Sequence, residues 1–546
     1  MRQVLEAKSE RKHQSNQTAA ESACRLSEVR YGTIKCARRI PTSAWLEDAA
    51  AHKEVGRLRQ MSSTKTVLLY SPHFVAPAYR LQPLYRATPP LSHLALAGPL
   101  REAGYDVEII DAKWDFDWRA RVRECEGRLL CAGVTSLTGP AVSDALEFAT
   151  FVRKVLPDLP IIWGGWHTSF AAKQAMEDPR VDVVVRGMGE RTFVEVVRAI
   201  ETRSSLGSIL GIHYRQDGKI TSTPDRPLED INNYPPPAYD LIEPRRYVFQ
   251  TVDGDRQAST IFSRGCPFAC DFCLDSKNQW TGISIGRMLA DIEFWLGHGA
   301  NRILFYDGNF FLGRGRLLEF CEALVRRELP SRIRWIATAV GRRVAKMDDE
   351  LLARLKRAGL MQVAIGAESG SDELLSRITN KTTVETTLEA VRRLTRHGIN
   401  QHLFFMIGYP DEPVDALENT LDFVVKLKKI NPNVTLFLNY VTPLPGSEVF
   451  RIAVERGHIE EPRSFEDWAR FDYMQPNLID ISDSYRRRVS RFQAFLNVAY
   501  PLPNRRRLPR SLRRFAQWRL DRGYLDFPLE LSVLAALRSA RTMVAR

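Results

Sequence analysis

Three cysteines stand close together in the middle of the chain. Cys266, Cys270 and Cys273 lie in Ser263-Arg264-Gly265-Cys266-Pro267-Phe268-Ala269-Cys270-Asp271-Phe272-Cys273, a C-x3-C-x2-C spacing just after a β-branched run. Thiolates bind soft metals and iron–sulfur clusters. Three of them on one tight loop can hold three irons of a 4Fe-4S cube and leave the fourth open. A structural zinc site is the alternative, but it wants a fourth Cys or His ligand. The next downstream candidates, His298 and Cys321, lie well outside the loop. Cys24, Cys36, Cys125, Cys131 and Cys321 have no ligand spacing and read as core or incidental thiols.

Such a loop needs a scaffold, and the hydrophobic pattern supplies one. Six β-branched runs (259–263, 302–307, 334–340, 361–368, 401–408 and 434–441) alternate with amphipathic stretches at 284–298, 314–327, 348–358, 372–378, 384–397 and 415–429. Strands separated by helices predict βαβ units on a parallel sheet. The result is an α/β fold with a partial (β/α)6 TIM-type barrel over 257–450, whose chemistry sits on the loops after the strands. Upstream, runs at 66–70, 106–110, 128–136, 161–165 and 181–187 alternate with helical 91–103, 141–156 and 190–201. That pattern predicts a doubly wound, flavodoxin-like (Rossmann-type) domain over 61–215, with its ligand edge at the carboxyl ends of the strands. Residues 216–256, rich in Pro and Asn, read as a linker. Residues 451–546 read as a basic, mainly helical C-terminal region. Residues 1–60 lack a sustained apolar period, and Met61 directly precedes the first strand. They read as a disordered leader or a mis-called start.

A C-x3-C-x2-C loop at the top of a partial (β/α)6 barrel resembles the radical S-adenosylmethionine (SAM) superfamily. The resemblance implies that Cys266, Cys270 and Cys273 ligate the cluster, that the open iron chelates SAM, and that electron transfer yields a 5′-deoxyadenosyl radical. It places Phe272 against adenine. Gly366-Ala367-Glu368-Ser369-Gly370-Ser371 is similar to the segment that contacts the SAM ribose and methionine end, so Glu368 and Ser369 are candidates there. A helix N-cap is the competing reading. Met406-Ile407-Gly408-Tyr409-Pro410 resembles the motif that passes along adenine, with Gly408 the candidate contact. The family's G-G-E is absent; Asp307-Gly308-Asn309 stands in its place and makes Asp307 the candidate for the SAM amino group. Lys381 either reaches a carboxylate or is a surface lysine.

The upstream domain looks like the cobalamin-binding domain of class B radical SAM enzymes. The resemblance rests on Thr135-Ser136-Leu137-Thr138-Gly139, Gly164-Gly165-Trp166-His167-Thr168 and Arg186-Gly187-Met188-Gly189-Glu190. It assigns Ser136, Thr138, Gly164, Gly165, His167, Gly187, Gly189 and Glu190 to cobalamin, small residues letting backbone approach a large cofactor. The D-x-H-x-x-G motif that supplies a lower axial histidine is absent; the nearest residues are His73 and, after Asp111, Lys113. The implied function is methylation of an unactivated carbon or phosphorus centre in a small-molecule or lipid substrate, through methylcobalamin and the radical, with flavodoxin or ferredoxin as electron donor. One alternative is an oxidative cyclase or rearrangement enzyme related to the anaerobic Mg-protoporphyrin ester cyclase. Another, of a different class, is a non-catalytic cobalamin or redox sensor.

Charge narrows the partners. The chain carries +13, but residues 1–60 hold 12 Lys/Arg against 7 Asp/Glu and residues 485–546 hold 15 Arg against 3 acids. The remainder is therefore slightly acidic, and no nucleic-acid footprint covers it. No apolar run reaches the ~18 residues of a membrane span, which predicts a cytoplasmic protein. For the arginine- and aromatic-rich 485–546, three readings stand: a helical cover for the barrel, a peripheral membrane contact, and a site for an acidic substrate or partner.

Overall fold

The computed structural model describes residues 65–74, 86–275, 279–379, 381–471, 479–501 and 508–526. The leader reading of 1–60, the Met61 start and the tail beyond 526 lie outside them. Apart from 252–254, the described residues belong to one compact unit.

Five parallel strands begin it: β1 (Thr66–Ser71), β2 (Asp106–Asp111), β3 (Leu129–Thr135), β4 (Ile161–Gly164) and β5 (Val183–Val185). Their order is β2-β1-β3-β4-β5, with Val67 beside Val107 on one flank and Cys131 on the other. Every β1 side chain is buried, as a parallel strand covered on both faces requires. The covering helices are α1 (Leu91–Glu102), α2 (Trp118–Cys125), α3 (Pro140–Val155), α4 (Trp166–Phe170), α5 (Ala172–Glu177) and α6 (Glu190–Thr202). On α6, Phe193, Val196 and Val197 form the buried stripe.

The segment read as a linker is more structured than its composition indicates. β6 (Ile212–Gln216) and β7 (Lys219–Ser222) extend the sheet as an antiparallel hairpin. Asp217 and Gly218 both have positive φ in its turn, as a two-residue type I′ hairpin needs. Beyond it, buried Tyr247 donates to Asp111 Oδ2 at 2.8 Å, Tyr239 donates to Asp291 Oδ2 at 3.2 Å, and Arg287 donates to the Tyr234 carbonyl at 2.9 Å. Residues 231–247 therefore strap the two sheets together. Periodicity misses such a strap because its bonds run to distant residues.

The second sheet contains β8 (Phe249–Gln250), β9 (Arg256–Thr260), β12 (Arg302–Phe305), β13 (Arg334–Val340), β14 (Leu360–Glu368), β15 (Asn400–Ile407) and β16 (Thr435–Tyr440). Its order is β16-β15-β14-β13-β12-β9-β8, parallel from β9 to β16 and open at both edges. Strands β10 (Ser263–Arg264) and β11 (Thr281–Gly282) form a separate antiparallel pair. Helices α7 (Ile285–Gly297), α8 (Arg314–Arg326), α9 (Gly341–Ala345), α10 (Asp349–Arg357), α11 (Asp372–Ile378), α12 (Val384–Arg396) and α13 (Ala416–Ile430) connect the strands. The expected strand 259–263 ends early, at Thr260, because Asp307 takes the Phe262 amide at 3.1 Å.

Helices α14 (Glu448–Glu455), α15 (Asp483–Ala499) and α16 (Arg510–Asp521) follow. Val489, Phe492 and Phe495 of α15 are buried in the barrel core, and α16 lies against α15 through Ala516 and Leu520. Among the described residues no helix is long and apolar enough to cross a membrane.

Candidate functional site

The cysteine loop follows β9 and β10 at the carboxyl edge of the second sheet. Cys266, Cys270 and Cys273 are not in disulfides. The loop is folded by Cys273 N donating to Cys270 O at 3.3 Å and Cys266 N to Asp275 O at 3.2 Å. It is held from outside at Asp271, whose N–H reaches Ile378 O of α11 and whose carbonyl accepts the Glu448 amide at 2.8 Å. Tyr409 adds a third hold by donating to Asp271 Oδ2. Burial pushes the Cys273 thiol up to about 11, opposed by a backbone hydrogen bond at Asp275 and reinforced by the nearby Asp275, Cys266 and Glu368 charges. Metal binding must displace such protons. Among the described residues no three His, Cys, Asp or Glu side chains converge on one ion. In a cube each of three thiolates binds a different iron.

Around the loop stand the SAM candidates. Glu368 ends β14 with φ +61. Its carboxylate lies over Gly366, where any Cβ would collide with Oε1. Burial pushes it up to about 8, and it fits a hydroxyl-bearing ligand. Phe272 is half-buried, packed against the apolar cluster to which Leu374, Ile378 and Tyr409 belong. Gly408 has φ +69, and its N–H is taken by Tyr485 Oη of α15 at 2.8 Å. Lys381 is an exposed residue.

Two of the candidates are engaged within the protein. Asp307 is buried and spends its carboxylate on the root of the cysteine loop, accepting from Phe262 N and Ser263 Oγ. Burial pushes it up to about 6. Ser369 is buried, paired with Thr420 Oγ1 at 3.2 Å and accepting from Ser371 N at 3.1 Å, so it fastens the β14 exit to α13. The residue that sequence reasoning passed over is Asn309, two beyond Asp307. It is wholly buried, and both amide atoms lack a partner. Its only signal in sequence was its place in Asp307-Gly308-Asn309.

At the carboxyl edge of the first sheet, Ser136, Thr138, Gly164, Gly165 and His167 come together at the ends of β3 and β4. Gly165 has φ +94, and a Cβ there would strike Thr135 Oγ1 and the Ser136 backbone. His167 shares a hydrogen bond with Thr138 Oγ1 at 3.0 Å. Burial pushes it down to about 3, so it is neutral. Its Nε2 and the Ser136 hydroxyl are buried without partners. Leu137, Trp166 and Phe170 are exposed on the same edge. Orphaned polar atoms beside exposed apolar groups fit a corrinoid, which has both amide and hydrocarbon surface. Gly187, with φ +67, leaves open space at the end of β5, while Gly189 packs against Leu96. Glu190 is buried, its Oε1 ion-paired with Arg264 and its Oε2 without a hydrogen-bond partner. Missed in sequence was Phe465, whose ring stacks on His167 at 5.3 Å and 11°. Trp468 beside it donates to Gln174.

Residues 83–197 match the model of the B12 binding domain, and residues 260–424 match that of the radical SAM superfamily. An uncharacterized methyltransferase of Pyrococcus horikoshii is 30% identical over 376 residues, covering 67% of this chain and 78% of its own. The anaerobic magnesium-protoporphyrin IX monomethyl ester cyclase of Rubrivivax gelatinosus is 29% identical over 462 residues, covering 80% of each. Among solved structures, the cobalamin-dependent SAM radical enzyme OxsB with aqua-cobalamin bound shares the fold with TM-score 0.64 at 18% identity, covering 86% of this chain and 73% of its own. The chain belongs to the cobalamin-dependent radical SAM enzymes, whose cofactors are a 4Fe-4S cluster, SAM and cobalamin.

Proposed function

We propose that this enzyme transfers a methyl group to an unactivated carbon or phosphorus centre of a small-molecule substrate. The reading is carried by the Arg264–Glu190 ion pair, which joins the root of the cysteine loop to the ligand edge of the first sheet. The pair links the two segments to which this reading assigns the cluster and cobalamin. When bound, the cluster and SAM supply the radical, and cobalamin supplies the methyl group. The chain's own residues bind and orient. Cys266, Cys270 and Cys273 hold the cluster, Glu368 and Asn309 receive hydrogen-bonding groups of SAM, and Phe272 and Gly408 border adenine. Ser136, Thr138, Gly164, Gly165, His167 and Gly187 cradle cobalamin. Asp307, Ser369 and Glu190 act one step back, fixing the loops that do so. No side chain need move a proton in the transfer, so the protein's work is positioning and exclusion of solvent.

The Rubrivivax relative favours a second reading, oxidative cyclisation, in which no methyl group is transferred. Anaerobic reconstitution followed by quantification of S-adenosylhomocysteine and 5′-deoxyadenosine separates the two. Comparable amounts of both support methyl transfer; deoxyadenosine alone, with no methylated product, rejects it. Turnover no greater than in Cys266→Ala would leave a cofactor-binding sensor.

A flavodoxin or ferredoxin fits as reductant. For the C-terminal region we infer contact with an anionic lipid surface: Phe515, Trp518 and Tyr524 are exposed, with ring centroids 5.7 and 5.8 Å apart and exposed Arg510, Arg514 and Arg522 alongside. Aromatic rings with guanidinium groups suit an interfacial helix. Flotation with phosphatidylglycerol vesicles tests it; equal flotation of Trp518→Ser/Arg514→Ser rejects it.

A further inference from the structure

The concave face of the second sheet has a composition that radical chemistry alone does not demand. Alternation decides which side chains face it. On β15, Gln401, Leu403, Phe405 and Ile407 are buried, and Phe405 meets Phe423 of α13 edge-on at 5.8 Å. That face looks toward the helices, so Phe404 looks the other way, into the half-barrel. The register pairs it with Phe437 of β16, and the two rings stack at 5.0 Å and 11°.

Beside this aromatic wall the side chains become small. Gly366 is the β14 neighbour of Phe404, and Ala364, two residues below it, pairs with Thr338 of β13. Across that floor stands Tyr306, just after β12, whose hydroxyl lies 3.4 Å from Thr88 Oγ1 of the first domain. Phe404 stays 36% exposed and Tyr306 45%. An interior strand position that keeps a third of a phenyl ring's surface lines space rather than packing. Below, the Arg302–Asp255 ion pair is buried and closes the barrel. Two rings thus line one side and one the other, with the His402 ring 5.7 Å from Phe437 below them and the Glu368 carboxyl near the mouth.

Given the radical SAM reading on which it rests, we infer that the substrate presents a flat aromatic or polycyclic apolar face to this slot, with Phe404 and Phe437 determining that preference. Parallel rings beside a floor of small residues accept a planar group by offset stacking. A flexible acyl chain gains nothing from the alignment of the rings, and a compact anion would lose its water without finding a cation.

The test uses holoenzyme reconstituted anaerobically with cluster, cobalamin and SAM. Indole and 1-hydroxypyrene are the planar probes; decanoate and 2-hydroxyethylphosphonate are the controls, with binding read by equilibrium dialysis. At least one planar probe should bind about tenfold more tightly than either control. Phe404→Ala should remove most of that difference, and Phe404→Tyr should restore it, with cluster absorbance reporting that each variant is folded. Decanoate binding as tightly as the planar probes, no binding by either planar probe, or an unchanged preference in Phe404→Ala overturns the inference. Failure of the underlying reading looks different: wild type would form no 5′-deoxyadenosine above Cys266→Ala, whatever the probes do.

Discussion

Tyr409, just after β15, donates its hydroxyl at 2.5 Å to Asp271, the first of the two residues between the second and third cysteines. The other Asp271 oxygen is buried without a hydrogen-bond partner, so the Tyr409 hydroxyl is a principal support of this carboxylate. It ties the cysteine loop to the end of β15.

Removing that hydroxyl leaves Asp271 short of its donor at a cost of about 1–3 kcal/mol. Tyr409→Phe should therefore lose its cluster several-fold faster to an iron chelator, while the melting temperature of the apoprotein changes little. An unchanged rate of bleaching at 400 nm would show that the loop is held by its backbone bonds alone.

The Arg264–Glu190 pair should behave as a partly buried one, with side chains 26% and 4% exposed. Arg264→Met strands a buried carboxylate. We expect a loss of ~2–3 kcal/mol, under the 3–5 of a fully buried pair because Arg264 keeps some solvent. Arg264→Met/Glu190→Gln should recover most of it in urea melts; equal losses in the single and double variants would mean that the charges do not couple.

Asn309 offers a clean separation of stability from binding. Because both amide atoms are unpartnered, Asn309→Ala removes no internal hydrogen bond and should leave the urea midpoint unchanged or raised. SAM affinity should fall about 5–30-fold, the equivalent of one or two hydrogen bonds. Calorimetric titration with SAM showing wild-type affinity would return Asn309 to the core.

Buried histidines set an acid limit. Burial pushes His93 and His167 down to about 3, and His402 to about 4. The unfolded chain takes up these protons near pH 6.5, the folded chain only near pH 3–4. Stability is therefore whole above pH 6.5 and falls as pH drops through that window, by about 2 kcal/mol per histidine at pH 5. His93→Leu should lose correspondingly less between pH 6.5 and 5; parallel pH profiles for variant and wild type would refute the assignment.

Much of the scaffold was legible because periodicity is local. The strand at 334–340 and the helix at 372–378 stand where alternation and the 3.6 period put them. Helix α2 escaped notice, since Trp118-Arg-Ala-Arg-Val-Arg-Glu-Cys125 buries only Trp118, Val122 and Cys125, too short an apolar stripe to stand out. Tyr239 and Tyr247 escaped because a strap has no period; its anchors are Asp291 and Asp111, far away in the chain.

By itself the sequence determined which atoms are present for chemistry and where local spacing concentrates them: three thiols on one loop, carboxylates and glycines at strand ends, arginines in the tail. Thiolate softness and chain geometry over eight residues are local properties, so they can be read directly. Tertiary structure decided which of those groups remain available. Asp307 and Ser369 have suitable atoms, but Phe262 and Thr420 reach them first, and Arg264 takes one oxygen of Glu190 while leaving the other unpartnered. Asn309 keeps both amide atoms, and Phe404 keeps its face beside Phe437. A polar group is free or spent according to its neighbours within about 3 Å, and those neighbours come from distant parts of the chain.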